Sequence, residues 1–191
     1  MATLDTANSL TSVANVQSFG QVPETDQDEI RTLINGASEM LNSLTNRKLK
    51  ARALTEYYDG TGSDTILLRQ RPCNSVTTLH DDIERSWGST TLVTATDYTV
   101  ITDEGLIVAT GTSFSVGVKV LKIVYNGGLS TIPVDLELAC LELVMYWYNR
   151  HFKQKIGIAS VSRGDSSTTY DQNLPRVVET VAAKYRKYWL G

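Results

Sequence analysis

The sequence predicts an α+β protein: a small helical bundle (three main helices) with an inserted antiparallel β subdomain. Three observations lead there. Apolar residues recur at three- and four-residue steps from Ile30 to Leu44. From residue 53 to residue 128 that spacing gives way to alternation, broken by Gly-containing turns. A nearly all-apolar segment then follows at 134–150, with an amphipathic one at the C-terminal end. A helical period and a strand period do not coexist in one element, so the change of period marks an insertion. The expected division is a flexible N-terminal arm at 1–25, the first core helix at 26–52, the β subdomain at 53–128, and the rest of the helical core at 129–191.

The arm is expected because residues 1–22 are mostly Ser, Thr, Asn, Gln and Ala with scattered apolar residues. The first helix follows "PETDQDEI". Thr25 or Asp26 can cap it, and Asp28 and Glu29 sit in the first turn, where the helix dipole favours anions. Ile30, Leu33, Ile34, Ala37, Met40, Leu41 and Leu44 line one face. A basic stretch, Arg47, Lys48 and Lys50, closes this region.

The β subdomain begins with "LTEYYDGTGSDTILLRQRP", which reads as strand, Gly-rich hairpin turn, strand. "NSVTTLHDDI" is a third extended piece, whose end carries His80, Asp81, Asp82 and Glu84. Neighbours on a strand point to opposite faces, so an exposed polar strand end is expected there rather than a metal site. "DYTVITDEGLIVAT" gives strands around Asp103-Glu104-Gly105, and "GVKVLKIVYNGG" closes the subdomain on two glycines.

The segment 134–150 carries the main puzzle. At about 100° per residue, Asp135, Glu142 and Asn149 fall on one line and Glu137 on the opposite side. Nearly everything between is apolar, from Leu136 to Tyr148. Two other helices and a small β subdomain shield two sides of such a helix. The remaining strip, Leu138, Leu141, Met145 and Tyr148, is therefore expected to stay wet in a lone chain and to be covered by sister copies. Residues 153–173 follow as a long Gly- and Ser/Thr-containing loop, suited to reach a neighbour. In the last helix Asn173 can cap, Pro175 suits the first turn, and Val177, Val178, Val181, Ala182 and Tyr185 share a face.

Composition excludes more than it selects. The 191 residues are 41% apolar and 20% charged, ordinary for a globular domain, and no apolar run is long enough to span a bilayer. The first residues have no basic start before an apolar block, so no secretion signal is expected. Cys73 and Cys140 are read as reduced thiols. Two histidines without zinc-finger spacing, no G-x-S-x-G elbow and no P-loop ending after "DGTGSD" leave no catalytic, cofactor or metal assignment. Net charge is uneven: residues 1–149 hold 10 Lys/Arg against 18 Asp/Glu, whereas 150–191 hold 8 against 3. The basic end is accounted for in part by cations favoured at helix C-termini.

Taken in order, "YYDGTGSDTILLRQRPCNSV", "DYTVITDEGLI", "VYNGGLSTIPVDLELACLELVMYWYNR" and "SRGDSSTTY" with the final helix resemble the bacteriophage head–tail connector (adaptor) proteins. The resemblance runs from about Asp26 to Tyr188. It implies a non-enzymatic virion component, made in the host bacterial cytoplasm and placed in the neck between capsid and tail. There it would form a ring, typically twelvefold, on the portal protein, extend the DNA channel without sequence-specific binding, and seat the tail, a stopper or a tail-completion protein. It needs no cofactor, metal or membrane. Candidate intersubunit residues are Leu138, Leu141, Met145, Tyr148, Gly157, Ile158, Val161, Arg163 and Tyr170. Candidates for portal docking or for facing DNA are Arg176, Lys184, Arg186, Lys187, Tyr188 and Trp189. The alternatives are another neck component, such as a stopper or tail-completion protein, or a carbohydrate- or receptor-binding module. The last would require an exposed aromatic platform among Tyr57, Tyr58, Trp87 and Tyr98.

Overall fold

The computed structural model describes residues 1–152, 160–163, 166–169 and 174–186. The chain divides into two units, Met1–Arg47 with Ile132–Gly191, and Lys48–Thr131. The α+β class predicted above is what the fold shows: among the described residues there are four α-helices, with two three-stranded antiparallel sheets in the second unit.

In the helical unit, α1 (Val13–Gly20) is capped by Ser12, whose Oγ accepts from the Asn15 N–H, and it ends at Gln21 with a left-handed φ of 50°. The second helix, α2 (Gln27–Thr45), buries Ile30, Ile34, Ala37 and Leu41 along one stripe. It stops at Asn46, whose backbone N–H closes the helix end from a left-handed conformation. Asp26 stands at its N-cap position without a capping bond from its side chain. Thus α2 ends seven residues short of the predicted 52, and Arg52 already belongs to a strand. The third helix, α3 (Val134–Phe152), packs against α1, α2 and α4 (Arg176–Tyr185). Leu136, Ala139, Cys140, Leu143 and Val144 are fully buried. Burial pushes the Cys140 thiol up to about 12, so it remains protonated beside Ser38.

The predicted flexible arm is corrected: residues 3–22 are folded onto the helical unit. Leu10, Val16 and Val22 are buried. Asn35 bridges the backbone of this segment, donating to the Thr3 carbonyl and accepting from the Asp5 N–H, each at 2.9 Å. The Leu10 N–H donates to Ser38 Oγ, and Thr11 and Asn15 side chains both donate to Glu137 Oε1 on α3, at 2.9 and 2.7 Å. The polar composition that suggested an arm is used up as hydrogen-bond partners for helices distant in sequence.

In the second unit, β1 (Arg52–Thr61), β6 (Val116–Gly127) and β3 (Cys73–Asp81) form one sheet in the order β1-β6-β3. The other sheet has the order β2-β5-β4, with β2 (Thr65–Leu67), β4 (Tyr98–Ile101) and β5 (Leu106–Ala109). One core joins them, built from Tyr58, Leu68, Leu79, Ile107, Phe114, Leu121, Ile123 and Tyr125 among others. The predicted "DGTGSD" hairpin is overturned, because β1 and β2 lie in different sheets. The register of β1 on β6 shifts between Tyr58 and Gly60, and a Cβ on Gly60 would fall 1.8 Å from the Ser115 carbonyl oxygen. Only glycine admits that backbone approach; β1 stays paired with β6 through Thr61, and the chain then passes to the other sheet instead of turning back.

A polar cluster ties this unit together. The Glu56 carboxylate accepts from the hydroxyls of Tyr58 and Tyr125, and those hydroxyls accept the backbone N–H groups of Arg69 and Gln70. Burial, then the bond to Glu56, raises both tyrosine pKa values well above the ordinary phenol range. The polar end of β3 is also not the exposed strand end expected. Asp82 is buried, and its carboxylate accepts from the Glu84 and Trp87 N–H groups and the Ser86 hydroxyl. Burial works against the charge, but these donors outweigh it and hold the carboxyl below its usual range.

In the predicted 153–173 loop, the backbone forms an antiparallel pair, β7 (Ser160–Arg163) with β8 (Ser166–Thr169).

Candidate assembly surface

The strip on α3 resolves into two parts. Toward the C-terminal end it is covered by the chain itself. Gly20, the last residue of α1, lies so close to Met145 that a Cβ there would come 2.3 Å from the Met145 sulfur. Leu141 is only 9% exposed. Tyr148 is half-buried, and its hydroxyl donates to Asp26 Oδ2 at 2.5 Å. That bond lowers the Asp26 carboxyl and pushes the Tyr148 phenol up to about 12. The expectation of a wet strip is therefore corrected for Leu141, which is buried, and in part for Met145 and Tyr148, which are half-buried within the chain. The N-terminal turns of α3 differ. Val134 is 82% exposed and Leu138 is 37% exposed, one helical turn apart on the same face.

The other predicted residues distribute as follows. Val161 and Arg163 lie on the backbone of β7. Gly157, Ile158, Tyr170, Lys187, Tyr188 and Trp189 lie outside the described residues. Arg176 and Arg186 flank α4 and are exposed. Lys184 is engaged: its Nζ lies 2.6 Å from Asp135 Oδ2, while the Tyr185 hydroxyl donates to Asp135 Oδ1 at 2.8 Å. The bonds from Lys184 and then Tyr185 hold the Asp135 carboxyl below its ordinary range. Lys184 thus joins the end of α4 to the start of α3. Its charge is locally offset, which weakens the earlier reading of it as a docking or DNA-facing cation.

Two of the four aromatic residues weighed for a ligand platform do come together. Tyr57 and Trp87 stack with ring centroids 5.6 Å apart, tilted by 55°. Tyr58 is buried beneath the sheet and Tyr98 is half-buried on β4. Among the described residues, no group of three or more His, Cys, Asp or Glu is placed to hold a metal ion, and no helix is long and apolar enough to cross a membrane. His80 spends one ring nitrogen on Thr91 at 3.4 Å.

Sequence comparison matches residues 9–188 to the family of head completion proteins. No curated protein sequence matches the chain. Among solved structures, a chain from the neck of an empty gene transfer agent (GTA) particle, computed with C6 symmetry, is similar with a TM-score of 0.66 at 19% identity. The similarity covers 100% of this chain and 97% of that one. A chain from the neck of the native GTA particle, computed with C12 symmetry, gives 0.62 at 19% identity with the same coverage. A chain from the virion of the native particle gives 0.65 at 18% identity, covering 100% and 95%. At such identities the likeness is one of fold.

Proposed function

The chain belongs to the head completion protein family, and from that membership we propose that it is a structural adaptor of the virion neck, assembled as a ring of twelve. The ring would sit on the portal, continue the DNA channel and carry the tail or a stopper protein. The observation that carries this reading is a fold likeness spanning the whole chain to a subunit of a neck computed with C12 symmetry. An identical contact repeated head to tail closes into such a ring.

Within that reading, Val134 joins Leu138 as the apolar part of the contact between copies. Burying side chains of this size is worth roughly 1.5–3 kcal/mol each. Gly157, Ile158, Val161, Arg163 and Tyr170 reach the neighbour. Arg176, Arg186, Lys187, Tyr188 and Trp189 remain for the portal or the lumen. Residues 1–149, with 18 acidic side chains against 10 basic, would repel phosphate and let DNA slide. The test is co-purification with a portal ring and imaging of the particle neck. A twelvefold ring of this chain between portal and tail is the expected result; its absence from that position would overturn the reading.

A further inference from the structure

The sheet β1-β6-β3 has two edges, and the chain treats them differently. The β3 edge is managed. Its pairing with β6 shifts register between Cys73 and Ser75 and again between Val76 and Thr78, which interrupts the row of backbone groups. Beyond it the Val93 N–H donates to the Leu79 carbonyl at 2.8 Å and Leu92 bridges to His80, so a later segment covers that side. The β1 edge has no such device. Its register on β6 is unbroken from Arg52 to Tyr58. Among the described residues, no backbone hydrogen bond joins residues 53–58 to anything but β6. Their sequence, ALTEYY, holds neither the Pro nor the Lys that blunt an exposed edge, and its one charge, Glu56, is taken up by the Tyr58 and Tyr125 hydroxyls. At about 3.3 Å per residue this open edge runs for roughly 20 Å. Such an edge is a template for one more strand.

The matching piece belongs to the same sequence. β7 and β8 are four residues each and, among the described residues, pair only with each other. A two-stranded ribbon on its own is marginal in water and gains stability from a further strand. The strands read SVSR and SSTT, free of Gly and Pro, so each residue can donate to a ladder. Within one chain the hairpin and β1 lie in separate sheets, which leaves the β1 edge to be filled from outside. We propose that the β7–β8 hairpin of one copy adds to the open edge of β1 in the next copy, extending its three-stranded sheet by two strands. The inference rests on the ring reading and names the surface that receives the arm. Hairpin and edge are unlike surfaces, so their contact, repeated from copy to copy, is the head-to-tail kind that closes a ring.

The test is hydrogen exchange on the full chain, free in dilute solution and assembled on a portal ring. In the free chain the outward amides of residues 53–58 should exchange rapidly. In the ring these amides and those of β7 and β8 should slow together, by at least about tenfold. A second measurement identifies the donor. Rings are built from an equimolar mixture of Thr55→Cys chains and chains with a cysteine placed in turn at each residue of β7 and β8. Mild oxidation should link different copies at alternate positions along one strand, because side chains alternate faces. The native Cys73 and Cys140 are buried and stay out of the reaction. Residues 53–58 already slow in the free chain, or no disulfide at any position, would overturn the proposal. So would protection of β1 while β7 and β8 stay open, the sign of a strand donated by the portal or another neck protein. The two readings fail separately: a twelvefold ring in which β1 exchanges as in the free chain discards this contact alone, whereas no ring discards the proposed function with it.

Discussion

The two ends of α3 have similar sequences and different fates. From Leu141 to Tyr148 its apolar strip is buried or half-buried within the chain, with Gly20 of α1 against Met145 and Asp26 at the start of α2 on the Tyr148 hydroxyl. At Val134 and Leu138, among the described residues, no such cover is seen. An apolar helix is thus not by itself evidence of a missing partner. The candidate contact between copies narrows from four side chains along the helix to its first turns, which are set apart by exposure and not by composition.

Four substitutions sharpen that contrast, in order of size. Leu141→Asp places a carboxylate in a buried site of the sheltered half and should cost about 3 kcal/mol or more, unfolding the helical unit in a thermal melt. A folded chain that merely fails to assemble would restore Leu141 to the interface. Gly20→Val sets a branched side chain against the flexible end of Met145, which can swing aside, so it should lower stability by no more than about 1 kcal/mol without touching assembly of the folded fraction. Leu138→Asp lies in the bare half. It should change folding stability by no more than about 0.5 kcal/mol and abolish ring formation on the portal. An intact ring would move the contact elsewhere.

The smallest effect concerns pH. The folded-state pKa of Asp135 lies below its unfolded value, so its bonds to Lys184 and Tyr185 contribute stability above about pH 4, lost as pH falls through the folded value. Lys184→Ala should return that carboxyl toward its ordinary range. The drop in melting temperature between pH 7 and pH 3 should then be smaller than in the unmodified chain. An unchanged drop would mean that the pair does not hold α4 to α3.

The same contrast shows what sequence can carry. The stripe Ile30, Ile34, Ala37 and Leu41 is local, repeats at helical spacing, and lies buried on α2 as read. Alternation in Val118–Val124 and the Asp103–Gly105 turn placed β6 and the β4–β5 pair for the same reason. The N-terminal segment was not legible, because its order comes from partners far along the chain, such as Thr11 with Glu137 and Leu10 with Ser38. A signal was available in Ser12 before Val13 and Val16, a cap followed by helical spacing. The "DGTGSD" turn misled because glycine marks a close backbone approach as readily as a hairpin, and the obstacle, the Ser115 carbonyl, lies 55 residues on from Gly60. Of the proposed site, Leu138 was visible as an apolar helix position. Val134, beside Pro133 and outside the chosen strip, was not, and only the fold shows that it is exposed.

The central claim is that α3 is sheltered by its own chain over its second half and by a neighbouring copy at its start. A reconstruction of the particle neck at side-chain resolution tests both parts together. It should show Val134 and Leu138 buried against an adjacent copy while Met145 stays under Gly20 of the same chain. Val134 and Leu138 facing solvent in the assembled ring, or Met145 covered by a different copy, would contradict it.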